Sequence, residues 1–300
     1  MKRIKGIIPP MVTPLKDEKE LDVEGCIRLT EHIVSGGVGG LFILGTTGEA
    51  QSLSHSLRSE FVGLVCKQVA GRVPVLVGIS DTSIEESVAL AYKAWECGAA
   101  GVVAAAPYYL APSQQEMIEY FTELADRVKL PLYLYNMPSC VKVFLEVGTV
   151  VKLSEHPNIA GLKDSSANMT YFQKLLYLFR DNDFALYMGP EEMTAAAVMA
   201  GADGGINGGA NLCPELYTEM YAAAEAHDVE KANRLQQKIM QISTELYGIG
   251  KYGSSYLKGL KCALAETGLC SGHIAWPYRE FVGPEKVRMR QALLKLGILK

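Results

Sequence analysis

Residues 131–164 read PLYLYNMPSCVKVFLEVGTVVKLSEHPNIAGLKD. The apolar, β-prone run Pro131 to Tyr135 stops at Asn136 and Pro138, and a second run, Asn158 to Lys163, stops at Asp164. The stretch between them, Phe144 to His156, has helical character. A strand, a helix and a strand in this order form a βαβ unit, whose strands lie parallel and end at the same sheet edge. Tyr135 and Lys163 are therefore expected to meet. Gly161 lies beneath Lys163 on the same strand face and is expected to leave room for the long side chain. An amine held at a crowded strand end is a candidate for carbonyl chemistry, because burial penalises the ammonium form and frees a nucleophilic lone pair. Most lysines are instead solvated surface charges.

Outward from this unit, apolar runs recur at roughly thirty-residue spacing, the length of a βα repeat. The predicted strands are Gly6–Pro9, Leu41–Leu44, Val73–Val77, Gly101–Ala105, Leu130–Tyr135, Ile159–Lys163, Phe184–Met188 and Gly204–Ile206. Helices between them include Val23 to Val34, with Val23, Cys26, Ile27, Ile33 and Val34 on one face, and Ile84 to Glu96 after the capping-type Ser83. Eight strands alternating with eight helices, the last starting near Pro214, predict an α/β fold of the (β/α)8 TIM-barrel type over residues 1–226. After Asn211 only helices are predicted: Asp228 to Gly248, Ser254 to Glu266 and Glu285 to Leu296. No linker of biased composition sets them apart, so residues 227–300 are expected to form a helical extension packed on the barrel, not an independent domain.

Composition narrows the function classes. The chain has 300 residues, of which 49% are hydrophobic and 21% charged, with net charge -4. Neither this balance nor the scattered Lys and Arg suggests nucleic acid or an anionic membrane as partner. The basic start MKRIKGIIPPMV is broken by Pro9 and Pro10 and makes a poor signal peptide. Seven cysteines, an odd number with no C-x-x-C pair, predict reduced thiols and a cytoplasmic location. Five dispersed histidines give no local metal motif, and neither a metal nor another cofactor is expected.

In a barrel the chemistry lies where strands end. The second strand runs into Gly45-Thr46-Thr47-Gly48-Glu49, where glycines permit a tight loop and adjacent hydroxyls with backbone N–H groups can hold a small carboxylate. An ordinary glycine-rich turn would read the same way. The fourth strand runs into Pro107-Tyr108-Tyr109, whose tyrosines could equally be packing aromatics.

Taken in order, GTTGE, PYY, YNxP and G-x-K-D resemble the dihydrodipicolinate synthase and N-acetylneuraminate lyase family of Schiff-base aldolases, from about Ile4 through the helical tail. The resemblance implies that Lys163 forms an imine with pyruvate, or with a 2-oxo acid cleaved to pyruvate. It implies that Tyr135 moves protons and that Thr46 links it to Tyr109, a residue the family contributes across a subunit interface. Thr47, with loop N–H groups including that of Gly48, would hold the pyruvate carboxylate. A homotetramer built as a dimer of dimers is implied as well.

The second substrate is less determined. Dihydrodipicolinate synthases place an arginine two residues after the proline of YNxP, and here that position is Cys140. A neutral thiol cannot supply a guanidinium's paired charged donors. Glu191 and Glu192 stand where sialic acid lyases hold sugar hydroxyls, although acids also favour the first turn of a helix. Within Gly204 to Asn211, Ile206, Asn207 and Gly208 are expected to line the substrate cleft. The preferred reading is a pyruvate-dependent class I lyase acting on a hydroxylated 2-oxo acid. Dihydrodipicolinate synthesis is the alternative, followed by a dehydratase and by a non-catalytic 2-oxo-acid sensor. A sensor would have no need of a proton relay.

Overall fold

The computed structural model describes residues 3–299. Its strands are β1 (Gly6–Ile7), β2 (Leu41–Ile43), β3 (Val75–Gly78), β4 (Gly101–Ala105), β5 (Leu132–Asn136), β6 (Ile159–Asp164), β7 (Ala185–Met188) and β8 (Gly204–Gly205). They run in the order β1-β8-β7-β6-β5-β4-β3-β2, each parallel to its neighbour in that order. A parallel bridge between Pro10 and Phe42, with Phe42 N–H donating to Pro9 O and Met11 N–H to Phe42 O, joins the remaining edges and closes the barrel.

The helices follow as α1 (Val23–Ser35), α2 (His55–Val69), α3 (Ile84–Glu96), α4 (Gln114–Arg127), α5 (Pro138–Val141), α6 (Val147–Ser154), α7 (Met169–Phe179), α8 (Thr194–Met199) and α9 (Pro214–Glu225). Side-chain oxygens cap several of their starts. Asp22 accepts from Gly25 N–H, Ser54 from Leu57 N–H and Asn168 from Tyr171 N–H, while Ser113 and Glu116 form a reciprocal capping box. Each cap satisfies a backbone donor that the helix cannot and contributes about 1 kcal/mol.

Three local expectations are corrected. The segment between β5 and β6 is not one helix from Phe144 but the short α5 followed by α6, because Leu145 N–H is held by Asn136 Oδ1 in an extended link. On α1 the buried face is Cys26, Leu29, Thr30 and Ile33, while Val23 and Ile27 are exposed. Ser83 precedes α3 without a side-chain capping bond; its own N–H instead donates to Asp81 Oδ1.

Beyond the barrel lie α10 (Val229–Tyr247), α11 (Ser255–Glu266) and α12 (Pro284–Lys295). Helix α10 buries Leu235, Ile239, Ile242 and Leu246, side chains whose burial contributes about 1.5–3 kcal/mol each. Leu235 and Ile239 join a cluster with Ile7 of β1, Ala195 of α8 and Tyr217 of α9, and this cluster fastens the extension to the barrel. The extension thereby brings α11 to the barrel mouth. No helix among the described residues is long and apolar enough to cross a membrane.

Candidate active site

The ends of β5 and β6 are locked together. Tyr135 pairs in register with Lys163 and Asn136 with Asp164. Asn136 Nδ2 donates to Asp164 Oδ1 at 2.8 Å, and Ser166 Oγ donates to Asp164 Oδ2 at 3.0 Å. Burial pushes the Asp164 carboxyl above its usual range, although these donors oppose the shift. Both strand ends are therefore fixed by paired side chains, and the residues just before them inherit that rigidity.

Lys163 is only 5% exposed. Its Nζ lies 4.2 Å from the centroid of the Tyr135 ring and 5.1 Å from that of Phe42 on β2. The room expected above Gly161 is already filled. A Cβ at Gly161 would sit 2.5 Å from Ala185 O and 3.0 Å from Tyr133 Cδ1, so this glycine admits the neighbouring strand and the Tyr133 ring, not the lysine. Tyr133 and Tyr187 pack 6.1 Å apart, and Lys163, two residues nearer the barrel mouth than Gly161, is in register with Tyr187.

Just before the GTTGE loop a bulky residue sits in the left-handed region, Leu44 at φ 58°. Gly78 at the end of β3 makes this possible, because a Cβ there would meet Leu44 O at 2.0 Å. Glu49 is also left-handed, at φ 58°, and such conformations cost on the order of 1 kcal/mol or more unless the surroundings enforce them. Here they are enforced by burial and pairing. Glu49 forms an ion pair with the fully buried Lys261 of α11 and accepts Ala275 N–H at 2.8 Å, while Lys261 Nζ donates to His273 O at 2.7 Å. Thr13 Oγ1 donates to Gly48 O at 2.7 Å.

The loop so held presents two hydroxyls to two tyrosines. Thr46 Oγ1 is 3.3 Å from Tyr135 OH, and Thr47 Oγ1 is 3.2 Å from Tyr256 OH of α11. A cavity of about 500 Å³ opens beside them, walled by Phe42, Thr46, Tyr108, Tyr135, Cys140, Tyr256 and Tyr278 among others, while Thr47 itself is buried and does not line it. Among the described residues no lysine or arginine lines it, and its one acid, Glu49, is paired with Lys261. Lys163 stands next to two of the rings that do line it. Of the two tyrosines after β4, Tyr108 lines the cavity, whereas Tyr109 is 78% exposed.

Other expected cleft residues are engaged elsewhere. Glu191 is buried behind the wall, where its carboxylate accepts Gly209 N–H and Tyr217 O–H, each at 2.9 Å. Burial pushes its carboxyl up to about 7, and the nearby charge of Glu192 adds to the shift. Glu192 accepts Ser243 O–H of α10 at 2.6 Å. Asn207 is fully buried and donates to Gly189 O at 3.0 Å and Thr194 Oγ1 at 2.9 Å, and Ile206 is buried beside it. Gly208 makes room not for a ligand but for a side chain, since a Cβ there would stand 1.7 Å from Tyr256 OH. None of Glu191, Glu192, Ile206, Asn207 or Gly208 lines the cavity in this chain.

Sequence reasoning missed Tyr256 and the Glu49–Lys261 pair. Glu49 stood within the quoted motif, but its partner is a lysine in a C-terminal helix with nothing local to distinguish it. Only the packing of α11 against the loop reveals either contact.

A family model described as the dihydrodipicolinate synthetase family matches residues 3–295. The chain belongs to that family. Its members include the 4-hydroxy-tetrahydrodipicolinate synthase of Methanopyrus kandleri, 32% identical over 299 residues that span 99% of this chain and 98% of the relative. Among solved structures, dihydrodipicolinate synthase from Bacteroides thetaiotaomicron superposes with TM-score 0.95 at 52% identity, covering 98% of this chain and 100% of that one. The chloride-inhibited enzyme from Acinetobacter baumannii, complexed with pyruvate, matches with TM-score 0.92 at 30% identity over 99% of this chain and 100% of that one. The family fold is the TIM barrel seen here, and the chain is an enzyme of its aldolase/lyase class.

Proposed function

We propose that this enzyme forms an imine between Lys163 Nζ and the keto carbon of pyruvate, or of a 2-oxo acid that is cleaved to pyruvate. The observation that carries this reading is the placement of Lys163 and Tyr135 as register partners at adjacent strand ends, with the Thr46 hydroxyl on the phenol. The amine adds to the carbonyl carbon, water leaves, and the resulting iminium withdraws electrons from its neighbours. Loss of a proton from the adjacent methyl carbon gives an enamine that attacks an aldehyde carbon. In the reverse direction the iminium accepts the electron pair of the breaking carbon–carbon bond.

Tyr135 moves the protons of these steps. A phenol is a weak acid or base alone, and the Thr46 hydroxyl gives the proton a route onward. Thr47 and the loop N–H groups, including that of Gly48, bind the carboxylate of the 2-oxo acid. Tyr109 extends the relay from a neighbouring subunit in a homotetramer, and its exposure in the single chain supports this reading. A separate, mainly apolar hollow of about 590 Å³ on α6 and α7, lined by Val147, Met169 and Leu178, offers a further surface for association. All seven cysteines are unpaired, which supports a reducing compartment such as the cytoplasm.

For the second substrate, the neutral wall favours a hydroxylated aldehyde over an anionic one. Cys140 and Ser139 supply small polar groups where a carboxylate would need charged donors. The names of the relatives favour the alternative, condensation of pyruvate with aspartate semialdehyde. Side-by-side assays of aspartate semialdehyde condensation and of cleavage of hydroxylated 2-oxo acids, sialic acid among them, decide between the two. Turnover of the semialdehyde at rates typical of an enzyme, without cleavage of the hydroxylated acids, would overturn the preferred reading.

A further inference from the structure

The helical extension contributes a side chain to the cavity that the proposed chemistry has not yet used. Tyr256 sits near the start of α11, faces the cavity and holds its hydroxyl 3.2 Å from Thr47 Oγ1. Its ring packs edge-on against Tyr247 at the end of α10, with centroids 4.7 Å apart. The loop after β8 lets its hydroxyl in, because Gly208 has no Cβ where one would overlap the phenol oxygen. Three elements thus converge to hold one hydroxyl against one threonine.

We propose that Tyr256 is a positioning residue, one that fixes the donor direction of Thr47 and thereby aims that hydroxyl's proton at the carboxylate of the bound 2-oxo acid. The inference rests on the reading that Thr47 binds the carboxylate. A threonine hydroxyl has one proton and two lone pairs. If Thr47 gave its proton to the phenol, it would turn only lone pairs toward an anionic ligand and repel it. If the phenol donates to Thr47, the threonine proton is free for the carboxylate, and the first bond polarises the second.

The surroundings favour the second arrangement. Burial raises the Tyr256 phenol above its usual value, so it keeps its proton and remains a donor. The nearby Glu191 accepts Gly209 N–H and Tyr217 O–H, and among the described residues the Tyr256 hydroxyl meets Thr47 Oγ1 and not this carboxylate. Thr47 Oγ1 is left as the acceptor within reach. The carboxylate is then held entirely by neutral donors, in keeping with a wall that carries no arginine or lysine.

The test measures how much pyruvate half-saturates borohydride trapping on Lys163, read by intact mass and peptide mapping, in the wild type and in Tyr256→Phe, Thr47→Val, their double variant and Tyr247→Phe. Phenylalanine keeps the ring against Tyr247, and thermal unfolding checks that each variant is folded. Tyr256→Phe is expected to raise the half-saturating concentration about 3- to 10-fold, the effect of one neutral hydrogen bond, with the maximal trapping rate within about twofold of wild type. Because Tyr256 acts through Thr47, the double variant is expected to bind no worse than Thr47→Val alone. Tyr247→Phe should match the wild type. Unchanged half-saturation in Tyr256→Phe, or independent multiplying effects in the double variant, would overturn the role of Tyr256 while leaving the imine intact. No adduct in the wild type would overturn both.

Discussion

Tyr135 and Lys163 come from parallel strands joined through a helical connection, yet they are register partners whose ring centroid and amine stand 4.2 Å apart. A phenol so close to the amine can serve each proton transfer that imine formation and carbon–carbon bond making require. Tyr135→Phe keeps the ring beside Lys163 and removes only the hydroxyl that meets Thr46. Turnover is expected to fall about 10²- to 10⁴-fold, the usual contribution of a positioned acid or base, while pyruvate still binds. Steady-state kinetics beside pyruvate titration checks this, and unchanged turnover would remove the proton-transfer role.

The barrel was legible because its evidence is local and repeated. Each strand is a short apolar run, each is closed within two residues by a polar residue, glycine or proline, and the thirty-residue repeat leaves few topologies open. The meeting of Tyr135 and Lys163 followed from the βαβ rule alone. What sequence could not give was the partner of a side chain across long separation. In sequence Gly161 looks like space for Lys163, but the Tyr133 ring and the β7 backbone fill it. Glu191 and Gly208 look like cleft residues by position, yet Tyr217 holds the first and the Tyr256 hydroxyl fills the space beside the second, both from helices late in the chain. Amphipathic periodicity places such helices without saying which tyrosine they carry to the mouth.

The pair Glu49–Lys261 is buried on both sides and ties the loop bearing Thr46 and Thr47 to α11. Lys261→Met removes one charge and leaves the other uncompensated, which is expected to destabilise the fold by about 3–5 kcal/mol. Adding Glu49→Gln should recover part of that loss, since the stranded charge is then gone. Chemical denaturation of the two variants provides the comparison. Equal stability of Lys261→Met and wild type would show that the pair does not brace the loop.

Glu191 carries a pH dependence whose sign is fixed by burial. Its carboxyl titrates at about 7 in the folded chain and in the ordinary carboxylate range when unfolded, so between these values the folded state binds more protons. Stability from this group is therefore full at pH below the unfolded value and is lost as pH rises toward about 7, with a total effect on the order of 3 kcal/mol. Glu191→Gln keeps an acceptor for Gly209 N–H and removes the titration. Denaturation of wild type and variant between pH 5 and pH 8, roughly the span over which the shift acts, should show a flatter profile for the variant. Parallel profiles would contradict the assignment.

The central claim is that Lys163 is the imine-forming amine. Reduction by borohydride in the presence of pyruvate, followed by intact-mass and peptide analysis, tests it most directly. The expected result is a single reduced pyruvate adduct on the peptide containing Lys163, absent from Lys163→Ala. An adduct that persists in Lys163→Ala, or none in the wild type at saturating pyruvate, would contradict it.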